Sequence, residues 1–259
     1  FLRHGYRQFK EVLDYYEDQM TALRFEKRLA PHLQAELVTA PYYQQTLDFT
    51  CGPAALMMAM KALDPTIELN RTLELRLWRE ATTIFMTSGH GGCGPYGLAL
   101  SAYRRGFDLE VHVNEDGVFL VDSVRSPEKK EVMRLVQEDW IEELRHLPVL
   151  LHRGSLGVDE LRQKCEAGGI PVVLISSYRI YGERFPHWVV VTGFDDHYIY
   201  VHDPLVNTDQ GATIADSVNL PIPHREFQRM ARYGKAAQKA VLILYRSRRR
   251  PEPAPPSPF

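Results

Sequence analysis

The 259 residues carry 31 Lys and Arg against 33 Asp and Glu, a net charge of −2, and 44% are hydrophobic. This balance fits a globular chain of one or two domains and gives no global electrostatic case for nucleic acid or an anionic membrane. No apolar run approaches the roughly 18 residues of a membrane span. The three cysteines, Cys51, Cys93 and Cys165, form neither a disulfide framework nor a Cys-x2-Cys metal pattern, a usage that fits a reducing, cytoplasmic setting without a bound metal.

In chain order, residues 6–13 and 22–25 are short apolar segments that suit two strands around the turn-like Tyr16-Glu17-Asp18-Gln19, with a helical arm as the alternative. His4-Gly5-Tyr6, Tyr15-Tyr16-Glu17-Asp18 and the stretch from Ala22 to Leu29 together resemble the C-terminal end of a GNAT acetyltransferase domain. The resemblance implies that residues 1–37 are the end of such a domain plus a linker. Acetyl-CoA would then belong to an upstream domain, and this chain by itself would need no cofactor.

Residues 45–60 hold the strongest signal. Cys51-Gly52-Pro53 opens a run, 54–60, that is apolar on every side, as in a helix buried on all faces. Proline suits a first helical turn, where an amide N–H has no partner to lose. A thiol at a helix N-terminus feels the positive end of the macrodipole, which favours the reactive thiolate. Gln45, six residues upstream, is placed to offer an amide to a developing oxyanion, with Gln44 as a rival. The alternative for Cys51 is an inert core cysteine. Residues 70–80 predict a helix capped by Asn70 that gives Leu73, Leu77 and Trp78 to the core. The glycine-rich loop 88–95 lacks the Gly-Lys-Ser/Thr of a phosphate loop. It leads into a helix over 96–105 and offers His90, Gly92 and Cys93 as substrate-lining residues.

Further on, 108–113 and 118–121 read as a hairpin around Asn114-Glu115-Asp116-Gly117. Residues 127–144 read as an amphipathic helix with the stripe Val132, Leu135, Val136, Trp140 and Ile141. A second helix, 158–167, puts Leu161 and Cys165 on one face and ends at Gly168-Gly169. The continuous apolar run 170–176 predicts a central strand, and 178–186 a loop at the rim of a cleft.

Residues 187–193 form a strand opening on His187, and 197–202 a returning strand that ends at Asp203-Pro204. A three-residue loop at 194–196 would set Gly193 opposite His197 and His187 opposite Asp203, an imidazole beside a carboxylate on one face. Such a carboxylate fixes the tautomer and leaves the second ring nitrogen for a thiol. Trp188 joins the substrate-lining candidates. His197 and His202 read as structural or solvated. After a loop to Pro221, a short helix over 223–233 and a last strand over 240–245 complete the body. Residues 248–259 are a basic, Pro-rich tail of a composition that cannot fold alone.

Gln-x5-Cys-Gly-Pro, His-Trp-Val-Val-Val-x-Gly and Val-x-Asp-Pro, in that order over roughly residues 38–247, resemble the bacteriocin-processing, double-glycine-leader cysteine peptidases. More narrowly they resemble soluble relatives of these peptidases that lack a transporter. The resemblance implies a papain-like α+β fold, with a helical lobe carrying the cysteine packed on a twisted antiparallel sheet carrying the histidine. It implies Cys51 as nucleophile, His187 as general base, Asp203 as its orienter and Gln45 as oxyanion donor. The implied partner is a peptide or protein substrate. Transpeptidation on the same residues, or silent peptide binding, are the alternative activities.

Overall fold

A computed structural model describes residues 7–12, 21–26, 36–83, 85–86, 89–115 and 117–247. The chain divides into two compact units, Phe1–Ala35 and Glu36–Phe259. In the first, β1 (Arg7–Val12) pairs antiparallel with β2 (Ala22–Glu26), from Arg7 opposite Glu26 to Val12 opposite Ala22. This is the strand pair, not the helical arm. The expected turn at 16–19, the motifs at 4–6 and 15–18, and the tail 248–259 lie outside the described residues.

The second unit runs β3 (Glu36–Leu37), α1 (Cys51–Leu63), α2 (Arg71–Ala81), β4 (Phe85–Met86), β5 (Gly89–His90), α3 (Pro95–Tyr103), β6 (Asp108–Val113), α4 (Pro127–Arg145) and β7 (Leu150–Arg153). It continues with α5 (Val158–Glu166), β8 (Ile170–Ser176), α6 (Tyr178–Tyr181), β9 (Pro186–Phe194), β10 (Tyr198–His202), α7 (Ile214–Ser217), β11 (Leu220–Pro223), α8 (His224–Met230) and β12 (Ala240–Tyr245). The main sheet has the order β11-β10-β9-β8-β12-β6-β7, with β3 added against the far end of β9. All its pairings are antiparallel except β6 with β7. This is a mixed α+β fold, a helical lobe against a mostly antiparallel sheet.

The central strands β8, β9 and β12 feed two cores by alternation. Val172 and Leu174 of β8 join α1, α2, α3 and α4 in an inner core, while Val173 and Ile175 join α5 and α8 in an outer one. Cover on both faces explains why 170–176 is apolar without alternation. Helix α1 lies in the inner core with every residue from Cys51 to Met60 buried. Asn70 caps α2 as expected, its side chain accepting from Leu73 N at 2.9 Å. Helices α2 and α3 pack at a glycine: a Cβ on Gly97 would meet the Ala81 Cα and the Trp140 ring at 2.7 Å and the Ala81 carbonyl at 2.8 Å. Backbone cannot yield as a flexible side chain does, so Gly97→Ala should cost about 1–3 kcal/mol. Urea unfolding checks this as a lowered midpoint with unchanged slope.

Three expectations fail. Residues 118–121 form no strand, because Phe119 N donates to Gln137 Oε1 and Leu120 N to Gln238 Oε1, and a left-handed Leu120 turns the chain into a short 3-10 segment. Strand β6 pairs with β12 and β7 instead. The stripe of α4 holds only in part: Trp140 and Ile141 pack against the inner core, but Val132 and Leu135 are exposed, and Met133, Gln137 and Leu144 are the buried positions. Gln137 takes the core position because both ends of its amide are bonded, to Phe119 N and to the carbonyls of Phe119 and Met133. The hairpin of β9 and β10 turns at 195–197, not 194–196, with Ile199 opposite Phe194 and Tyr200 opposite Gly193. Thr192 is then an extra, bulged residue, and Val201 meets Val191.

Candidate active site

The hairpin offset decides how His187 and Asp203 meet. Past the bulge, His202 faces Val190, so the ladder carries Asp203 towards Val189 rather than His187. The net slip is two residues, which preserves the side-chain face and leaves the two residues on the diagonal, within reach of long side chains. His187 Nε2 and Asp203 Oδ1 lie 2.6 Å apart, and both residues are 1% exposed.

Asp203 is held on every side. Leu205 N donates to Oδ1 at 2.9 Å, Tyr181 OH to Oδ2 at 2.8 Å, and Tyr42 OH to its carbonyl at 2.9 Å. Its own N–H donates to the Ser217 carbonyl. Rings of Tyr181 and Phe185 stand edge-on to the imidazole, at centroid distances of 6.0 and 5.7 Å. With Nε2 committed to the carboxylate, the other ring nitrogen is the one left for the Cys51 side chain. Burial alone would lower the imidazole pKa, but the Asp203 charge and hydrogen bond, reinforced by Cys51, push it up to about 10.

Cys51 is the first residue of α1, preceded by Thr50, which provides no side-chain cap. The N–H groups of the first turn are therefore not taken up by a capping side chain. Gln45 is 8% exposed, whereas Gln44 is exposed. The Gln45 backbone N–H donates to the Pro204 carbonyl at 2.9 Å, tying its loop to the residue after Asp203. Its Nε2 donates one hydrogen to Leu47 O at 2.9 Å, and a primary amide has a second. Gln45 Oε1 is buried with no hydrogen-bond partner among the described residues.

The loop between Gln45 and Cys51 is built on a residue the sequence reading passed over. Glu74 of α2 is fully buried. Its Oε1 accepts from Thr46 N at 2.8 Å and lies 2.5 Å from Thr50 Oγ1. Its Oε2 accepts from Thr46 Oγ1 at 2.7 Å and Tyr43 OH at 3.0 Å. The signal was present: Glu74 is on the same helical stripe as Leu77, Trp78 and Ala81, all buried, and a carboxylate inside an apolar stripe needs partners. Tyr42 and Tyr181 carried no comparable signal, since their roles depend on loops folding back over Asp203.

Two of the proposed substrate-lining residues are not open surface: Cys93 and Trp188 are 2% and 1% exposed. Trp188 Nε1 donates to the Cys93 carbonyl at 3.0 Å, and a Cβ on Gly52 would lie 3.2–3.3 Å from Trp188 Cδ1 and Cys93 Cβ. Both residues form the wall behind the start of α1, and burial, with Cys51 nearby, holds the Cys93 thiol well above its ordinary pKa. Gly92 is exposed with open space around it. His90 belongs to β5 by its backbone, and its side chain lies outside the described residues. His202 is structural, bonded to the Ala40 carbonyl through Nε2 and to Asn219 N through Nδ1. Cys165 is half-buried, its thiol pushed up to about 12 by burial. Among the described residues no helix is long and apolar enough to cross a membrane.

The sequence pattern of the Peptidase C39-like family (DUF3335) matches residues 40–245. No protein of curated function matches the chain. Similar solved structures include a C39-like peptidase from Bacillus anthracis, 14% identical, TM-score 0.46, covering 83% of this chain and all of that one. A double-glycine-motif protease from an AMS/PCAT transporter, solved with its leader peptide, is 15% identical, TM-score 0.39, covering 80% and 92%. The peptidase domain of Streptococcus ComA, a bifunctional ABC transporter of quorum sensing, is 14% identical, TM-score 0.38, covering 78% and 96%. From the family match over most of its length, this chain belongs to the Peptidase C39-like family.

Proposed function

We propose that this chain is a cysteine peptidase that cleaves a peptide bond through a thioester. What supports this reading is the buried His187–Asp203 pair, 2.6 Å apart, with Cys51 at the head of a buried helix and near enough to help raise the imidazole pKa. An imidazolium beside a thiol at a helix N-terminus is the setting that favours thiolate. The Cys51 sulfur attacks the peptide carbonyl, and the second Gln45 amide hydrogen and the Cys51 N–H are the oxyanion donors. His187 gives its proton to the leaving amine as the C–N bond breaks, leaving a thioester. Water, deprotonated by His187, then cleaves the C–S bond and frees the acid. Residues 1–37 are, on the same reading, the end of a GNAT-like domain, supported by the motifs at 4–6, 15–18 and 22–29 and by the β1–β2 pair.

Alkylation tests the ion pair without a known substrate. Because the His187 pKa is raised, its imidazolium is present through neutral pH and is lost only as pH rises through about 10. Iodoacetamide should label Cys51 rapidly and stoichiometrically at pH 6–7. In His187→Ala the rate at the same pH should fall, because the imidazolium beside the sulfur is gone. Asp203→Asn removes the charge that opposes burial, so the His187 pKa drops and the reactive window closes at lower pH than in the wild type. Equal labelling of wild type and His187→Ala at neutral pH would remove the basis for the enzyme.

A further inference from the structure

On the other face of the sheet from α1, three side chains converge that the proposed peptidase chemistry does not use. We infer that Glu110, His112 and His152 form a binding site for one divalent transition-metal ion of the zinc class. Glu110 and His112 are two apart on β6 and so share a face, and the parallel register sets His112 directly opposite His152 of β7. Their ligand atoms all lie within 4.8 Å of one another. Glu110 Oε2 is 2.8 Å from His112 Nε2 and 3.8 Å from His152 Nε2, and the two imidazoles stack with centroids 4.5 Å apart. Ligand atoms of a tetrahedral zinc, at about 2.0–2.2 Å from the ion, are about 3.3–3.6 Å from one another. The two separations from Glu110 Oε2 bracket that range, and with all three ligand atoms within 4.8 Å the site closes by side-chain rotation.

The donor set favours this class of ion. Two imidazoles with one carboxylate suit zinc and its neighbours, while magnesium and calcium prefer all-oxygen sites. Tyr245 OH donates to Glu110 Oε1 at 3.0 Å, leaving Oε2 for the centre and fixing the carboxylate's orientation as outer-shell partners of metal ligands do. His152 is 45% exposed on the edge strand, which gives the ion a path in and room for a water as fourth ligand. Lys164 Nζ now lies 2.6 Å from Glu110 Oε2 and is the built-in competitor; its side chain is 31% exposed and can swing away. The three ligands sit at positions 110, 112 and 152, a separation that no short spacing pattern reveals. The ion would clip β7, paired only to β6, onto the sheet.

Zinc titration of the full chain, against a chromophoric chelator, tests this. Cys51→Ser and Cys165→Ser form the background, so that thiolates are not counted. One equivalent should bind, His152→Ala should weaken it by at least about 100-fold, since even outer-shell losses reach that range, and Lys164→Met should tighten it about tenfold by removing a nearby positive charge. Cobalt(II) should give visible ligand-field bands that His152→Ala abolishes, and the ion should slow amide exchange over 150–153. His152 is half-exposed, so its variant should fold, which the unchanged cobalt-free melting curve checks. Zinc stoichiometry and affinity indifferent to both His152→Ala and Lys164→Met, or cobalt without those bands, would overturn the site.

Discussion

On the proposed chemistry, Cys51→Ala should abolish peptide cleavage and leave the protein folded. The expected loss in kcat is about 10⁴–10⁶-fold, the range seen when a nucleophile is removed from a catalytic unit. The stability change is small by comparison. Alanine fills most of the volume of a residue that is 8% exposed, and deleting one buried sulfur costs on the order of 1 kcal/mol. The His187 imidazole also loses the partner that helped hold its proton, so its pKa moves down, while the bond to Asp203 remains. A cysteine that merely packs the core would show the opposite pattern, a modest loss of stability with turnover intact. Measuring kcat on a peptide the wild type cleaves, beside a thermal melt, separates the two. Substantial residual turnover in Cys51→Ala would exclude the thioester route.

Glu74→Ala should give the largest stability loss of any single change near the site. The carboxylate collects hydrogen bonds from Thr46 N, Thr46 Oγ1 and Tyr43 OH, with Thr50 Oγ1 against it. Bonds to a charged group contribute about 1.5–3 kcal/mol each, and an abandoned buried donor costs about 1–3 kcal/mol. Thr46 is exposed and can turn to water, but Thr50 is fully buried. A net loss of about 3 kcal/mol follows, a fall in Tm of roughly 6–12 °C at this chain length. Because Thr46 and Thr50 bracket the loop from Gln45 to Cys51, kcat should fall too. Glu74→Gln keeps the shape and one acceptor oxygen and should lose less on both counts. A melt of Glu74→Ala within 2 °C of wild type would show that the loop does not depend on this carboxylate.

How much of this was readable beforehand varied with the physics of each element. Helix α1 and strand β8 were legible because burial on all sides demands unbroken apolar runs. His187 and Asp203 were legible as a pair because a hairpin connects them, yet their register was not. The bulge at Thr192 has no signature in Val191-Thr192-Gly193, and it falls in the pairing with β10. Helix α4 was found and its buried face partly misread, since apolar periodicity cannot show that Gln137 buries itself by bonding the Phe119 backbone. Strand β7 escaped because all four of its residues are exposed at a sheet edge. Trp188, next to His187 in sequence, was expected at a substrate-lining surface but faces inward, against Gly52.

The surplus residue in β9 also makes chain length part of how His187 is aimed. Val191 and Phe194 enter the same outer core although they are three positions apart, an odd step that only the bulge allows. Excising Thr192 would leave them two apart, the step of a regular strand, so both could keep their layer and the imidazole its face, with the bulge lost. Excising any other residue between 188 and 193 would have to consume the same surplus residue, or turn the segment back to His187 over. A single-residue deletion scan of this strand should therefore find Thr192 the best tolerated position, a distinction that no substitution scan would reveal.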